Sequence, residues 1–472
     1  MKLNYLLTTF LCLTLNLFAQ NQTPDLSPIF PGSSLPFTVS IELAEFMLPN
    51  GLHSFASAIY KDKWVIIAGR TNGLHGFGPG NNNFPPQQQN TVVYVIDPAS
   101  GITYTKSLSD PSSGLSQQQI DTLSVTSPQS YQTKKRLYIT GGYGVDTATG
   151  TFSTKDTLTA IDLKGIIQWV INPQPGETLA SHIRQISDPI FQITGGFMDR
   201  TLHDRTLLIF GQDFEGFYSD NSNGAYSEQV RRFKIHDNGS KLSISSEKVF
   251  PETPDPNYRR RDLNVVPVMH KAFGFPMPGF VAFSGVFTID TGVWTVPVLI
   301  DTKGHPKMAD PSNPSTFKQG MNNYVCPTIG MFSDHSENMY VVFFGGISFG
   351  FFQNGVFTTD SEIPFINQVT TVQLDKHNKY TQFLMDAQYP VILSTQSNPG
   401  NPLLFGAGAG FFPVDDLPTY RNEVIKFDKL EHQPRLIGYI VGGIQSTLPN
   451  TNVNADSAAS PYIFKVFVDR TN

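Results

Sequence analysis

The sequence predicts an all-β chain folded as a ring of six four-stranded antiparallel sheets, closed by a strand from its own N-terminal region, with a ring of seven as the alternative. Three observations carry this. A short apolar, β-branched or aromatic run that stops on glycine recurs six times, with its last glycine at Gly69, Gly142, Gly211, Gly285, Gly346 and Gly443, in steps of 73, 69, 74, 61 and 97 residues; a fixed internal spacing of this kind is the mark of a repeat architecture. A second mark keeps step with it, an aspartate leading into a turn at Asp97, Asp162, Asp237, Asp301, Asp375 and Asp469. Finally, the last repeat is one strand short, while residues 37–43 (FTVSIEL) alternate like a strand without a hairpin partner beside them.

The repeats read in order as follows. The first has 53–60, 64–69, 91–101 and 102–108, with a long loop rich in Gly, Asn, Pro and Gln before its third strand. The second has 123–132, 137–142, 156–165 and 166–171 (IIQWVI) as its fourth strand, and the third has 188–197, 207–211, 228–239 and 241–249. The fourth has 263–270, 280–285, 293–304 and a short remnant at 306–309; the fifth has 323–332, 340–346, 368–378 and 379–385. In the sixth, 403–412 (LLFGAGAGFF) is the innermost strand, 435–443 the second and 460–469 the third, with 423–430 (EVIKFDKL) as an inserted extra strand. Residues 37–43 fill the fourth place and remove two open sheet edges. In the alternative, 403–412 and 423–430 belong to a blade of their own, which makes seven. The periodic aspartates read as turn residues, since Asp accepts from nearby backbone N–H groups.

Composition agrees with many short strands and few long helices: 15% charged residues against 39 Gly, 34 Pro and 37 Phe in 472 residues. A net charge of −6 without a Lys or Arg run speaks against nucleic acid and against an anionic membrane surface. The triplet Arg259, Arg260, Arg261 reads as a solvated loop. Residues 1–19 read as a secretory signal, with Lys2 before an apolar stretch at 6–18 and Ala19 at the cleavage point. Residues 20–36, rich in Pro, Ser, Asn and Gln, read as a linker, and 37–470 as one domain. The expectation is a secreted or periplasmic monomer with no later segment apolar enough to span a membrane. Cys326 is the sole cysteine after the signal, which leaves no intrachain disulfide.

The glycine pairs Gly141-Gly142, Gly345-Gly346 and Gly442-Gly443, with single-glycine versions at Gly69, Gly211 and Gly285, resemble those of the kelch-repeat β-propeller family, of which the central domain of galactose oxidase is an example. The resemblance covers about residues 37–470 and implies a six-bladed β-propeller. It departs from the family in lacking, in most repeats, the spaced Tyr and Trp. The family includes enzymes, glycan binders and scaffolds, so the fold leaves function open.

Loops from second to third strands share one face with the chain segments that lead into the innermost strands. At 70–90, 143–155, 212–227, 347–366 and 444–459 these loops are long and carry aromatics beside polar groups, among them His75, Phe77, Tyr143, Glu215, Tyr218 and Phe349. Rings with hydrogen-bonding neighbours suit a sugar face or a peptide. The segments leading to the axis supply His53, Asp121, Arg184, Arg260, Asp262, Asn322, Asn323 and Asn401. Two arginines with a carboxylate and amides suit an anionic or hydroxyl-rich ligand. The expected function is therefore a ligand-binding module for a carbohydrate or a protein. The alternative is a cofactor-free sugar isomerase or mutarotase using Glu215, Asp262 or His53 as acid and base.

Other patterns are discounted. Residues 346–350 spell G-x-S-x-G, but no helix follows to support an oxyanion. The ten histidines are scattered without H-x-H or H-E-x-x-H spacing, so no metal or cofactor is expected. A copper radical site, as the resemblance would allow, needs a Tyr crosslinked to Cys, and Cys326 lies in an apolar inner-strand run.

Overall fold

Each glycine-ended run lies on a strand with antiparallel partners on both sides, and the turn that follows demands a left-handed backbone. In the computed structural model, which describes residues 26–78, 83–219, 224–289, 292–451 and 454–471, both members of the pairs Gly141-Gly142, Gly345-Gly346 and Gly442-Gly443 have positive φ. In the single-glycine versions the preceding residue takes the same conformation: Ala68, Phe210 and Ser284 have φ of 63°, 55° and 48°. The turn, and not the glycine pair, is thus the repeated feature, and glycine is the residue that adopts it without a steric cost. At Gly69 space is also closed, because a Cβ would lie 2.5 Å from the carbonyl oxygen of His53.

Five sheets follow the four-stranded plan. They are 56–107, 129–187, 197–250, 264–308, and the closing sheet, in which Gly410–Pro413, Arg435–Val441 and Ile463–Arg470 are joined by Phe37–Leu43. The expectation of six four-stranded antiparallel blades is thereby corrected: the β-propeller has five blades, not six or seven. The remaining large sheet leaves the plan. It has six strands and is mixed, with Ile29–Pro31 laid parallel on Tyr380–Gln388 at one edge and Ile425–Lys426 parallel on Thr328–Ser333 at the other. Part of the stretch read as linker is therefore a paired edge, and the inserted strand serves this sheet and not the one whose sequence it interrupts. The signal reading falls on residues outside those described. Among the described residues no helix is long and apolar enough to cross a membrane.

The closing strand pairs antiparallel with the last one, from Phe37 opposite Arg470 to Leu43 opposite Phe464. Its alternation does what a half-buried strand requires: Phe37, Val39 and Ile41 are buried while Thr38, Ser40 and Glu42 are exposed. Phe37 meets Tyr340 edge-on at 5.3 Å between ring centroids, so the closure also locks the seam to the six-stranded sheet.

The innermost strands read at 188–197 and 403–412 begin late, as Phe197–Arg200 and Gly410–Pro413, with Pro189–Phe191 a 3-10 turn ahead of the first, and one further element changes class. Residues 166–171 are not a strand; Leu163–Ile171 is a helix, and the fourth strand of that sheet is Ile183–Ser187. The physical reason is in the spacing, since Leu163, Ile166, Trp169 and Val170 recur at helical intervals and all are buried. Trp169 is nearly inaccessible and its indole N–H donates to Ser112. Burying a side chain of that size contributes roughly 2 to 3 kcal/mol.

The insertion before Arg435 reaches residues of three other repeats. Asn422 donates to the carbonyl of Val268, Tyr420 donates to Asp334, and Asp415 shares a hydrogen bond with Asp62. Nearby, burial and the approach of Glu423 push the Asp199 carboxyl up to about 7.

Candidate functional site

At the glycine end of the axis the repeats converge on a chamber of about 700 Å³, within the range of roughly 300 to 1,000 Å³ usual for small-molecule sites. Its wall is periodic. Each repeat contributes the residue that follows its last glycine, namely Arg70, Tyr143, Gln212, Val286, Ile347 and Ile444. Each also contributes a dipeptide from the chain leading to the innermost strand: His53-Ser54, Thr126-Ser127, Thr194-Gly195, Arg261-Asp262, Tyr324-Val325 and Ala407-Gly408. The two sets are bonded across: His53 with Arg70, Thr126 with Tyr143, Thr194 with Gln212, Arg261 with Val286 and Tyr324 with Ile347 form antiparallel bridges, and Ile444 donates to the carbonyl of Ala407.

The second residue of every dipeptide is left-handed, with φ of 53°, 49°, 64°, 49°, 54° and 68° in chain order. Two are glycine. Holding β-branched Val325 there costs of the order of 1 to 2 kcal/mol, and such strain persists where surrounding structure imposes it, as around binding sites.

The repeat fixes positions; the residues placed on them differ by side. From the first three repeats come Arg70, Tyr143 and Gln212, backed by an aromatic cluster in which Tyr143, Phe152, Phe214 and Tyr218 are buried with Phe77 and Phe84 against them. The His75 ring sits 4.7 Å from each of Phe77, Phe84 and Tyr218. Two guanidinium groups lie on these rings, Arg70 4.7 Å from the Phe84 centroid and Arg261 5.5 Å from that of Tyr218. From the last repeats come Ile347 and Ile444, which pack with Phe365, Ala407 and Leu404 into a separate apolar cluster.

Electrostatics distinguish Arg70 most clearly. It is 1% exposed, its Nε donates to Asn72, and its Nη2 has no hydrogen-bond partner among the described residues. Burial lowers its pKa to about 10, so it remains a cation at neutral pH, and among the described residues no carboxylate forms an ion pair with it. Arg261 is 3.6 Å from Asp262 and donates to the Tyr218 hydroxyl at 3.2 Å, and its Nε lacks a hydrogen bond among the described residues. Burial raises the Asp262 carboxyl although Arg261 opposes the shift. His53 is driven down to about 3 by burial and then by Arg70, so it is neutral; its Nδ1 is 3.0 Å from Ser54 Oγ. Burial likewise lowers His75, to about 4.

The residues singled out from sequence divide accordingly. His53, Asp262, Tyr143 and Tyr218 line the chamber; Asp121, Arg184, Arg260, Asn322, Asn323 and Glu215 do not. Asp121 sits in the helix Gln117–Leu123 and holds a loop by accepting from Thr147 N–H and Oγ1. Arg184 lies on the outermost strand of its sheet, displaced because the segment before it is helical, and is clamped by Asp162 and Asp237. Arg260 is fully buried, donates to the carbonyls of Ser284 and Val296, and stacks on Trp294 at 4.4 Å. The basic triplet is thus no solvated loop: Arg260 is core, while Arg259 and Arg261 line the chamber. Asn322 accepts from Phe349 N–H and Asn323 donates to the Gly345 carbonyl, both holding backbone. Asn401 likewise donates to the Thr447 carbonyl. Glu215 is exposed on a small hairpin. Ser348, of the G-x-S-x-G pattern, is fully buried with its hydroxyl against the Gly350 carbonyl. The Cys326 thiol is buried and pushed up to about 12. Among the described residues no three His, Cys, Asp or Glu side chains gather as metal ligands.

Sequence reading missed Arg70, Gln212, Arg261 and Tyr324. The usable signal was there: the residue after each terminal glycine names half of the wall.

The arrangement is a β-propeller with its convergent site on the glycine side. No family model and no curated protein matches the chain. Among solved structures it is similar to one titled "Structure of YjhT", at 12% identity over 90% of this chain and 98% of that one, with a TM-score of 0.43. The kelch character therefore stays a resemblance carried by the glycine pairs.

Proposed function

We propose that this propeller is an exported ligand-binding module that takes a small anionic, hydroxyl-bearing molecule, of the carbohydrate-acid class, in its axial chamber. The observation that carries this is Arg70, a buried cation on the wall with an unsatisfied donor and, among the described residues, no acidic partner. A buried charge without a counter-charge is costly, and an anionic ligand supplies what the fold withholds. Arg261 offers a second cationic contact, the tyrosine and histidine rings offer faces for a sugar, and Thr126, Ser127, Thr194 and Gln212 offer hydroxyl and amide groups. An open chamber of this size favours a small ligand over a protein partner.

The isomerase alternative is weakened by the same geometry. Glu215 lies outside the chamber and neutral His53, held near 3, is a poor base, which leaves Asp262 alone. The test is a binding panel of uronic and aldonic acids, each matched with its neutral parent sugar. The acids are expected to bind, with Arg70→Gln weakening them at least about tenfold, the loss of roughly one charge-assisted hydrogen bond. Equal binding of acids and parents overturns the reading.

A further inference from the structure

We infer that the chamber is divided into two subsites and that its ligand is amphiphilic, an anionic head on the arginine side joined to an aliphatic group on the side of Ile347 and Ile444. This rests on the anion reading given above. The position after the terminal glycine is structurally equivalent in every repeat, so its occupants can be compared directly. In chain order they are Arg70, Tyr143 and Gln212, then Val286, Ile347 and Ile444. Successive repeats are neighbours around the axis: innermost strands pack together between the first and second, second and third, and fourth and fifth repeats, and shared cores join the third to the fourth, the fifth to the last and the last to the first, so the change in chain order is a change in space. The polar occupants span one arc and the aliphatic ones the other.

The cores behind the wall make the same division. Behind the polar arc is a cluster of rings carrying two guanidinium groups. Behind the other is the cluster of Phe365, Ala407 and Ile444 with Ile347, Leu404 and Leu74, the last reaching over from the loop of the first repeat; these side chains offer no hydrogen-bonding atom. The polar side chains that these repeats add to the lining, Ser361, Glu362, Asn450 and Thr451, lie on the loops beyond this cluster, so a hydroxyl group seated directly against Ile347 and Ile444 would lack a partner, at a cost. A ligand with a short alkyl or acyl arm places apolar surface there and gains from the transfer.

The probe is a series of alkyl β-D-glucuronides, from methyl through butyl to hexyl, in which carboxylate and hydroxyl groups stay constant while the arm grows. Calorimetric titration of the intact protein is expected to show affinity rising about two- to fourfold per methylene. The rise should flatten in the Ile347→Ala, Ile444→Ala double variant, and Arg70→Gln should weaken every member by one common factor. Methyl glucuronide that binds and is weakened by Arg70→Gln, with affinity flat along the series, overturns the second subsite while leaving the anion reading in place. A chain-length effect unchanged in the double variant also overturns it, because the arm then lies elsewhere. Hexyl glucoside binding as tightly as hexyl glucuronide removes the anion reading beneath it, and binding by no member removes both. The wild-type series needs no substitution to decide, so a poorly folded variant leaves it intact.

Discussion

Two arginine groups in this molecule are built from the same residue and do opposite things. On the outer part of the second sheet, Arg184 donates through Nη1 and Nη2 to Asp162 at 2.9 Å each and through Nε and Nη2 to Asp237 at 3.0 and 3.1 Å. Arg136 bridges the same two carboxylates. Burial opposes the charge of Arg184, but its hydrogen bonds to Asp162 and Asp237 outweigh that and hold its pKa above the ordinary value. At the chamber, Arg70 is more deeply buried and has one asparagine oxygen. A planar five-donor group that is fully matched stabilises structure, and one left partly unmatched in a cavity is available to a ligand. Residue type marks neither; pairing does.

The contrast can be broken most directly by removing each cation. Arg184→Gln leaves the nearly inaccessible Asp237 short of its main partner and is expected to lower unfolding free energy by about 3 kcal/mol, the low end for a broken buried pair because Arg136 remains. Arg70→Gln, which removes an uncompensated charge, should leave stability unchanged or slightly raised. Urea unfolding of both variants decides this; a comparable loss in each would erase the distinction.

A smaller effect sharpens the comparison at Tyr143, whose hydroxyl donates to the Gly216 carbonyl at 2.6 Å and ties the aromatic wall to the neighbouring loop. Tyr143→Phe should cost about 1 kcal/mol of stability by thermal or urea unfolding. It should weaken ligand binding less than Arg70→Gln does, since the bond lost is internal. A larger binding loss than for Arg70→Gln would make the hydroxyl a ligand contact.

The smallest expected signal is in pH. Burial raises the Asp237 carboxyl, but hydrogen bonds from Arg184 and the Gly239 N–H outweigh it, so its folded pKa lies below the unfolded value near 4. Its stabilising contribution is present above that value and lost as pH falls through the folded one. For Asp262 burial prevails and the folded pKa is raised. Its contribution is present below about pH 4 and lost as pH rises through the folded value. The penalty of Asp237→Asn should therefore shrink on acidification below pH 5, whereas Asp262→Asn should become relatively more stabilising as pH is raised from 4. Stability curves with slopes of the same sign would contradict the assignment.

Much of the scaffold could be read from residues alone. The alternation in FTVSIEL and the missing strand in the last repeat pointed to the pairing of Phe37–Leu43 with Ile463–Arg470, because a half-buried strand has a period of two and an open edge needs a partner. Four of the six periodic aspartates, Asp97, Asp237, Asp301 and Asp375, accept from a backbone N–H two residues on, whereas Asp162 leads into a helix without such a bond and Asp469 lies within the strand Ile463–Arg470. Reading IIQWVI as a strand was the costly error. It ignored the helical spacing of Leu163, Ile166 and Trp169, and it moved Arg184 to the axis. The site was half legible, since His53, Tyr143, Tyr218 and Asp262 line the chamber, but Arg70 and Arg261 were passed over as loop residues.

The sequence by itself determined where the chain turns, because a left-handed backbone at the end of an apolar run selects glycine locally and does so again in each repeat. It also determined which faces of the strands are buried, through alternation. Only the tertiary structure decided which side chains share the axis. Convergence depends on how far each segment runs before its innermost strand begins, and that distance is set by packing between sheets, to which no local pattern of residues is tied.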